Sequence, residues 1–232
     1  TGHYVKKEKI GERYALRLAD YRPKDQTYML CGLSQFQLAL SLFPLGNVED
    51  KNAVRAMVEA AGLELAKKQD SQDICFVPDR DYMAYLTGLG LVPQEGNFIT
   101  PEGKILGKHR GMEAYTTGQR RGLGMAFGER AYVLGKRGTD VLIGANEDLF
   151  SRRVFVENVN FLPFDPPKAP IQVQAKLRYT PKSAPALLTA TEYGCELLFD
   201  QPQRAVTIGQ TAAFYDGDLL IGGGVIRGCE KE

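Results

Sequence analysis

The sequence has little with which to build a metal centre or a covalent framework. It offers two histidines and four cysteines (Cys31, Cys75, Cys195 and Cys229), and no two cysteines form a C-x-x-C pair. That spacing argues against a zinc site and, in a chain of 232 residues, against a disulfide scaffold. A reducing, cytoplasmic compartment is the expectation. No apolar run approaches the ~18 residues that a membrane-spanning helix needs, and no charged-then-apolar leader opens the chain, so no membrane partner is expected. Internal repeats and low-complexity segments are also absent. A net charge of +1 excludes coating of nucleic acid by bulk charge. It leaves room for local basic patches, among them Lys108-His109-Arg110, Arg120-Arg121, Lys136-Arg137 and Arg152-Arg153. With 44% hydrophobic and 25% charged residues, the composition is that of an ordinary globular protein. The chain opens on Thr1 and enters strand-like sequence at once, which suggests a piece of a longer protein.

Two strand segments, around Tyr4-Val5 and Arg13–Leu18, are expected on either side of a polar Glu8–Glu12 turn. Gly2 allows close backbone approach to a ligand and makes the adjacent His3 a candidate for a binding loop. Beside Pro23, the run Lys24-Asp25-Gln26 presents a donor, an acceptor and an amide together, or else forms a solvated turn. Ser34 and Gln37 have capping-box spacing, which predicts a helix over 36–43 ended by Pro44. A second helix follows Asp50, with Val54, Met57, Val58 and Ala61 on one apolar stripe and Gly62 as its stop.

The stretch Asp70-Ser71-Gln72-Asp73-Ile74-Cys75-Phe76-Val77 comes next. Cys75 stands at a junction where a mobile loop can carry a nucleophile, although Ile74–Val77 also reads as a core strand. Asp70 and Asp73 would raise its thiol pKa and Lys67 and Lys68 would lower it. A short helix is expected over 81–86. From Gly90 to Gly144 glycine recurs, and Tyr132-Val133-Leu134 and Val141-Leu142-Ile143 flank a Gly138-Thr139-Asp140 turn in a hairpin pattern. The segment Tyr115-Thr116-Thr117-Gly118-Gln119-Arg120-Arg121-Gly122-Leu123-Gly124 suits a backbone-lined cationic loop, without the glycine spacing of a phosphate loop.

From about Val154 the sequence is read as all strand. Ile171, Val173, Ala175 and Leu177 are expected to face a core, with Lys176 and Arg178 facing water. Further strands are expected at 187–191, 195–199, 205–207, 212–215 and 219–226, enough for a small barrel or sandwich. Arg178-Tyr179 and Gly209-Gln210 place a guanidinium, a ring and an amide at strand ends. They suit RNA contact, or equally an ordinary barrel surface. The fold class expected is α+β in three parts: a segment 1–75, a glycine-rich, mainly β centre at 76–153, and a β-barrel at 154–232.

Taken in order, Thr1-Gly2-His3-Tyr4, Lys24–Tyr28, Phe43-Pro44-Leu45-Gly46, Asp70–Phe76, Tyr115–Arg120 and Gly209-Gln210 resemble the tRNA-specific 2-thiouridylases over essentially the whole chain. The resemblance implies that ATP, with Mg2+, adenylates the wobble uridine of tRNA and that a cysteine persulfide delivers the sulfur. On that basis Cys75 carries the persulfide and Gly2 lies at the ATP site. His3, Lys24, Asp25, Gln26, Arg178, Tyr179 and Gln210 match positions that touch tRNA. The partners implied are tRNA and a persulfide donor, a cysteine desulfurase or a relay protein. Segment 1–75 becomes the remnant of an α/β, phosphate-loop-type ATPase domain. The family's S-G-G-x-D-S loop and second catalytic cysteine are expected ahead of Thr1, so the chain by itself is expected to be inactive. Cys31 and Cys195 are expected to be buried and Cys229 to lie in a frayed terminus. The alternative is a tRNA-binding module without catalysis, and a purely structural β-domain is a third reading.

Overall fold

A computed structural model describes residues 1–63, 77, 81–128, 130–180 and 182–231. The fold is α+β, with few and short helices and strand as the prevailing regular structure. Its contacts gather into two compact units. One comprises Thr1–Lys67, Ser151–Gln203 and Thr207–Glu232, and the other Lys68–Phe150 with Arg204–Val206.

The first unit begins with a hairpin of β1 (Val5–Ile10) and β2 (Arg13–Leu18), turning at Gly11-Glu12. The turn is tighter than the Glu8–Glu12 segment expected, because Glu8 and Lys9 pair with Ala15 and Tyr14 and extend the ladder. A 3-10 turn (Arg22–Lys24) leads into α1 (Thr27–Leu30) and then α2 (Gln35–Leu40). The capping box forms as its spacing predicts. The Gln37 backbone N–H donates to Ser34 Oγ at 3.2 Å, and the Ser34 N–H donates to Gln37 Oε1 at 2.8 Å. The helix ends at Leu40, ahead of Pro44. Ser41 is already extended, and the Lys7 ammonium takes the Leu38 and Ser41 carbonyls at 2.9 and 2.6 Å, satisfying acceptors that a longer helix would have used. Next comes α3 (Lys51–Ala60), capped by Asp50. Its apolar stripe is present but uncovered among the described residues: none of its side chains is buried, and Met57 is 62% exposed.

The rest of this unit is a closed six-stranded barrel. β7 (Phe150–Phe161), β8 (Ile171–Lys176), β9 (Ala184–Thr191), β10 (Gly194–Arg204), β11 (Thr211–Asp216) and β12 (Leu219–Glu230) run in the circular order β12-β11-β8-β9-β10-β7 and close on β12. The β1–β2 hairpin joins through β2, whose Leu16 and Arg17 pair with Leu220 and Leu219. Alternation along β8 buries Val173 and Ala175 as expected. The strand stops at Lys176, however, so Leu177 and Arg178 fall outside it. The segment 205–207, expected as a strand, is a turn in which Ala205 has φ 55°. Cys229 pairs with Val154 in the last strand and is not frayed.

One core joins the helices to the barrel. Val5, Leu16, Leu30, Cys31 and Leu38 pack with Leu162, Ala213, Tyr215 and Leu220. Asn160 pins the α1–α2 connection from the barrel side, donating from Nδ2 to the carbonyls of Cys31 and Leu33, each at 2.9 Å. The first 40 residues therefore share their apolar interior with the barrel.

The second unit opens with α4 (Tyr82–Gly88), capped by Asp81. A four-stranded sheet follows, of β3 (Gly96–Ile99), β4 (Ile105–His109), β5 (Tyr132–Arg137) and β6 (Asp140–Gly144), in the order β4-β3-β6-β5. The expected hairpin is β5–β6, turning at Gly138-Thr139. Phe98, Tyr115, Val133, Val141 and Ile143 form this unit's own core. His109 is buried beside Phe98 and Tyr115, bonded through Nε2 to the Thr139 carbonyl at 3.0 Å and through Nδ1 to the Gly111 N–H at 3.2 Å.

Candidate nucleic-acid interface

Most of the polar residues singled out in the sequence meet in the first unit, at the entry to α1 and at one end of the barrel. Asp25 is the organiser. Its Oδ2 accepts the Ala19 N–H at 2.8 Å, while Oδ1 accepts the Thr27 N–H at 3.1 Å and the Thr27 hydroxyl at 2.6 Å. The carboxylate is therefore occupied in folding the turn and closing the start of α1, where short side chains commonly bind local backbone. Gln26 clamps the neighbouring segment. Its Oε1 accepts the Tyr4 N–H at 3.1 Å, and its own N–H donates to the Tyr4 carbonyl at 3.0 Å. That two-point grip holds the chain next to His3, whose Nδ1 lies 2.5 Å from Thr1 Oγ1. Gly2 is exposed, with open space where a Cβ would sit, so a ligand can approach its backbone. Lys24 is half-buried at the end of the 3-10 turn.

The barrel supplies the other wall. Tyr179 donates its hydroxyl to the Asp25 carbonyl at 3.2 Å, and its ring lies 6.2 Å from that of Tyr28. Lys176 does not face water as its place in the strand suggested. It is half-buried, with Nζ 5.8 Å from the Tyr28 ring centroid and 5.5 Å from that of Tyr179. Burial pulls the Lys176 pKa down, partly opposed by the charge of Asp25. Arg178 donates to Thr207 Oγ1 at 2.8 Å, and the Gln210 N–H donates to the Thr207 carbonyl at 3.2 Å. Gln210 also accepts the Ile226 N–H at 2.8 Å, while its side-chain Oε1 is buried and has no partner among the described residues.

A continuous set of contacts thus links Gln26, Asp25, Tyr179, Arg178, Thr207 and Gln210. Sequence reading missed Lys176, Tyr28 and Thr207, which complete it. The only available signal was that Tyr28 closes the Lys24–Tyr28 motif and that Lys176 stands two residues before Arg178. A surface with an exposed ring (Tyr179 is 44% exposed), a guanidinium, an ammonium and amide groups can stack on bases and bond to a sugar–phosphate chain.

Cys75 and the Asp70–Phe76 stretch around it lie outside the described residues. Of the other thiols, Cys31 and Cys195 are buried, which pushes their pKa up to about 11 and about 12. Both are therefore poor nucleophiles. No disulfide joins described cysteines. Among the described residues no cluster of three or more His, Cys, Asp or Glu side chains could hold a metal, and no helix is long and apolar enough to cross a membrane.

Comparison with known proteins agrees along the whole chain. Residues 1–79 match a family described as the tRNA methyl transferase HUP domain, 89–143 the tRNA methyl transferase PRC-barrel domain, and 151–226 the aminomethyltransferase beta-barrel domain. The tRNA-specific 2-thiouridylase MnmA of Clostridium kluyveri is 44% identical over 230 residues, covering 97% of this chain and 64% of the relative. A second, from Clostridium botulinum strain Loch Maree, is 41% identical over 231 residues, covering 98% of this chain and 65% of the relative. The chain thus spans a little under two thirds of the length of these curated relatives. Across its length, then, the chain is similar to the tRNA-specific 2-thiouridylases and carries three domain matches in their order.

Proposed function

We propose that this chain provides the tRNA-holding surface and the sulfur-carrying cysteine of a tRNA 2-thiouridylase. The supporting observation is the contact chain from Gln26 through Asp25, Tyr179 and Arg178 to Gln210, which gathers residues distant in sequence onto one polar, ring-bearing face. In this reading His3, Lys24, Asp25, Gln26, Arg178, Tyr179 and Gln210 form the tRNA contact region. Asp25 and Gln26 serve mainly to shape it, and Tyr179 and Arg178 to meet the RNA.

Gly2, with its unobstructed backbone, is the one described residue assigned to ATP. ATP supplies the activation: the uridine 2-oxygen attacks the α-phosphate and pyrophosphate leaves. The terminal sulfur of a Cys75 persulfide, loaded by a separate donor protein, then attacks C2 and AMP leaves with the former oxygen. A second thiolate attacks the Cys75 sulfur and closes a disulfide with it, displacing either sulfide, which then attacks C2, or the sulfur already bonded to C2. Burial raises the thiol pKa of Cys31 and Cys195 and disfavours both as that second thiol, whereas Cys229 on the last strand is partly exposed. The protein is expected to act in the cytoplasm.

The decisive experiment measures 2-thiouridine formed on tRNA when the chain is joined to the ATP-binding part of a relative. Loss of product with Cys75→Ser is expected, and unchanged product would refute the assignment. A non-catalytic tRNA-binding module is the alternative, favoured by the exposed ring, guanidinium and amide groups gathered at the barrel end. It predicts salt-dependent tRNA binding with no dependence of function on Cys75.

A further inference from the structure

The second unit carries a cationic recess that the reading above leaves without a task. Residues 115–124 are braced onto β5: the Gly118 N–H donates to the Val133 carbonyl at 2.7 Å, and the Val133 N–H donates to the Gln119 carbonyl at 2.9 Å. The Gln119 side chain then ties the loop to itself, accepting the Thr116 N–H at 3.0 Å and donating to the Arg121 carbonyl at 3.0 Å. Beyond this braced turn lies an open pocket of about 470 Å3, lined by Leu123, Met125 and Phe127 together with Arg120 and Arg130. Phe127 is anchored edge-on against Phe98 at 5.5 Å, so the apolar wall belongs to the unit's core packing. Arg120 and Arg130 are exposed, and neither forms an ion pair among the described residues.

Arg120, on a turn fixed by hydrogen bonds, and Arg130 are exposed guanidiniums without described carboxylate partners, so no ion pair to a described residue has to break when an anion arrives. Their planar forks suit phosphate oxygens, and the apolar residues that share the pocket suit a ribose or a base edge. We infer that this recess is a second RNA contact, which grips the sugar–phosphate backbone of the tRNA through Arg120 and Arg130 without reading its sequence. The inference rests on the tRNA-binding reading proposed above and adds a separate anchoring point to it.

The test is the salt dependence of binding between the full chain and an unmodified tRNA transcript. Arg120→Gln with Arg130→Gln should weaken binding about tenfold at physiological salt and lower the slope of log K against log salt by roughly one to two. Arg120→Lys with Arg130→Lys, which keeps the charge, should retain most of the slope. Circular dichroism establishes that each variant is folded. An unchanged slope in the glutamine variant, with binding still sensitive to Tyr179→Ala, overturns this inference and leaves the tRNA-binding reading standing. No tRNA binding by the unsubstituted chain overturns both.

Discussion

Tyr179, just past the end of a barrel strand, donates its hydroxyl at 3.2 Å to the carbonyl of Asp25, which lies 154 residues earlier at the start of a helix. This bond ties two motifs that are unrelated in sequence into one face. It leaves the Tyr179 ring 44% exposed beside the half-buried Lys176. Hydroxyl and ring therefore do different jobs, one structural and one suited to stacking.

That division can be measured. Tyr179→Ala should weaken tRNA binding by about 1–3 kcal/mol, the usual value of one base–aromatic stack. Tyr179→Phe should keep most of the affinity and cost about 0.5–1.5 kcal/mol of stability for the lost hydrogen bond. Gel-shift titration and urea unfolding separate the two effects. Equal loss of affinity in both variants would show that the hydroxyl, not the ring, matters to RNA.

Asp25 should behave as a structural residue first. Its carboxylate accepts three hydrogen bonds, two of them from the fully buried Thr27. Asp25→Ala leaves those donors unmatched, at about 1–3 kcal/mol. Asp25→Asn keeps one acceptor and should lose less. A shift in urea midpoint with an unchanged slope would show this; an Asp25→Ala protein as stable as the parent would contradict it.

Alkaline pH should destabilise the chain through its buried acids. Burial raises Cys31 from an ordinary 9 to about 11, Cys195 to about 12, and Tyr28 from 10 to about 12. Above pH 9 the unfolded chain releases these protons while the folded chain retains them, so ionisation favours unfolding. The contribution is intact below pH 9 and is lost as pH rises towards 11–12. Thermal melts in a pH series should decline over that window, and Cys31→Ala should make the decline shallower. In the native protein at pH 8, Cys31 and Cys195 should resist alkylation, which mass mapping of labelled peptides reads directly.

Gly222 is required by the way β12 closes the barrel. A Cβ there would sit 2.1 Å from the Asn160 carbonyl oxygen, which is backbone and cannot rotate away. Gly222 pairs with Phe161 on β7 and Phe214 on β11 at once. Gly222→Ala should therefore cost about 1–3 kcal/mol, the range for overpacking, as a lower urea midpoint. Gly217→Ala is a weaker control: its Cβ has open space, although its φ of +57° adds some strain. A Gly222→Ala barrel of parental stability would mean that the strands separate freely at this crossing.

Local chemistry alone determined much of this protein. Capping by Ser34, Asp50 and Asp81 needs only side chains within three residues of the helix start. The burial of Val173 and Ala175 follows from two-residue periodicity, and the β5–β6 hairpin from a short turn between apolar runs. The ordered motifs carried the family resemblance. Tertiary structure decided what lay between segments. No local rule places Lys7 at the end of α2, which stops that helix before its proline. None seats Asn160 under the Cys31 and Leu33 carbonyls, or turns Lys176 from solvent towards two tyrosine rings. Such contacts join residues more than a hundred positions apart in several cases, and the energy that selects them appears only when the barrel closes and brings those surfaces together.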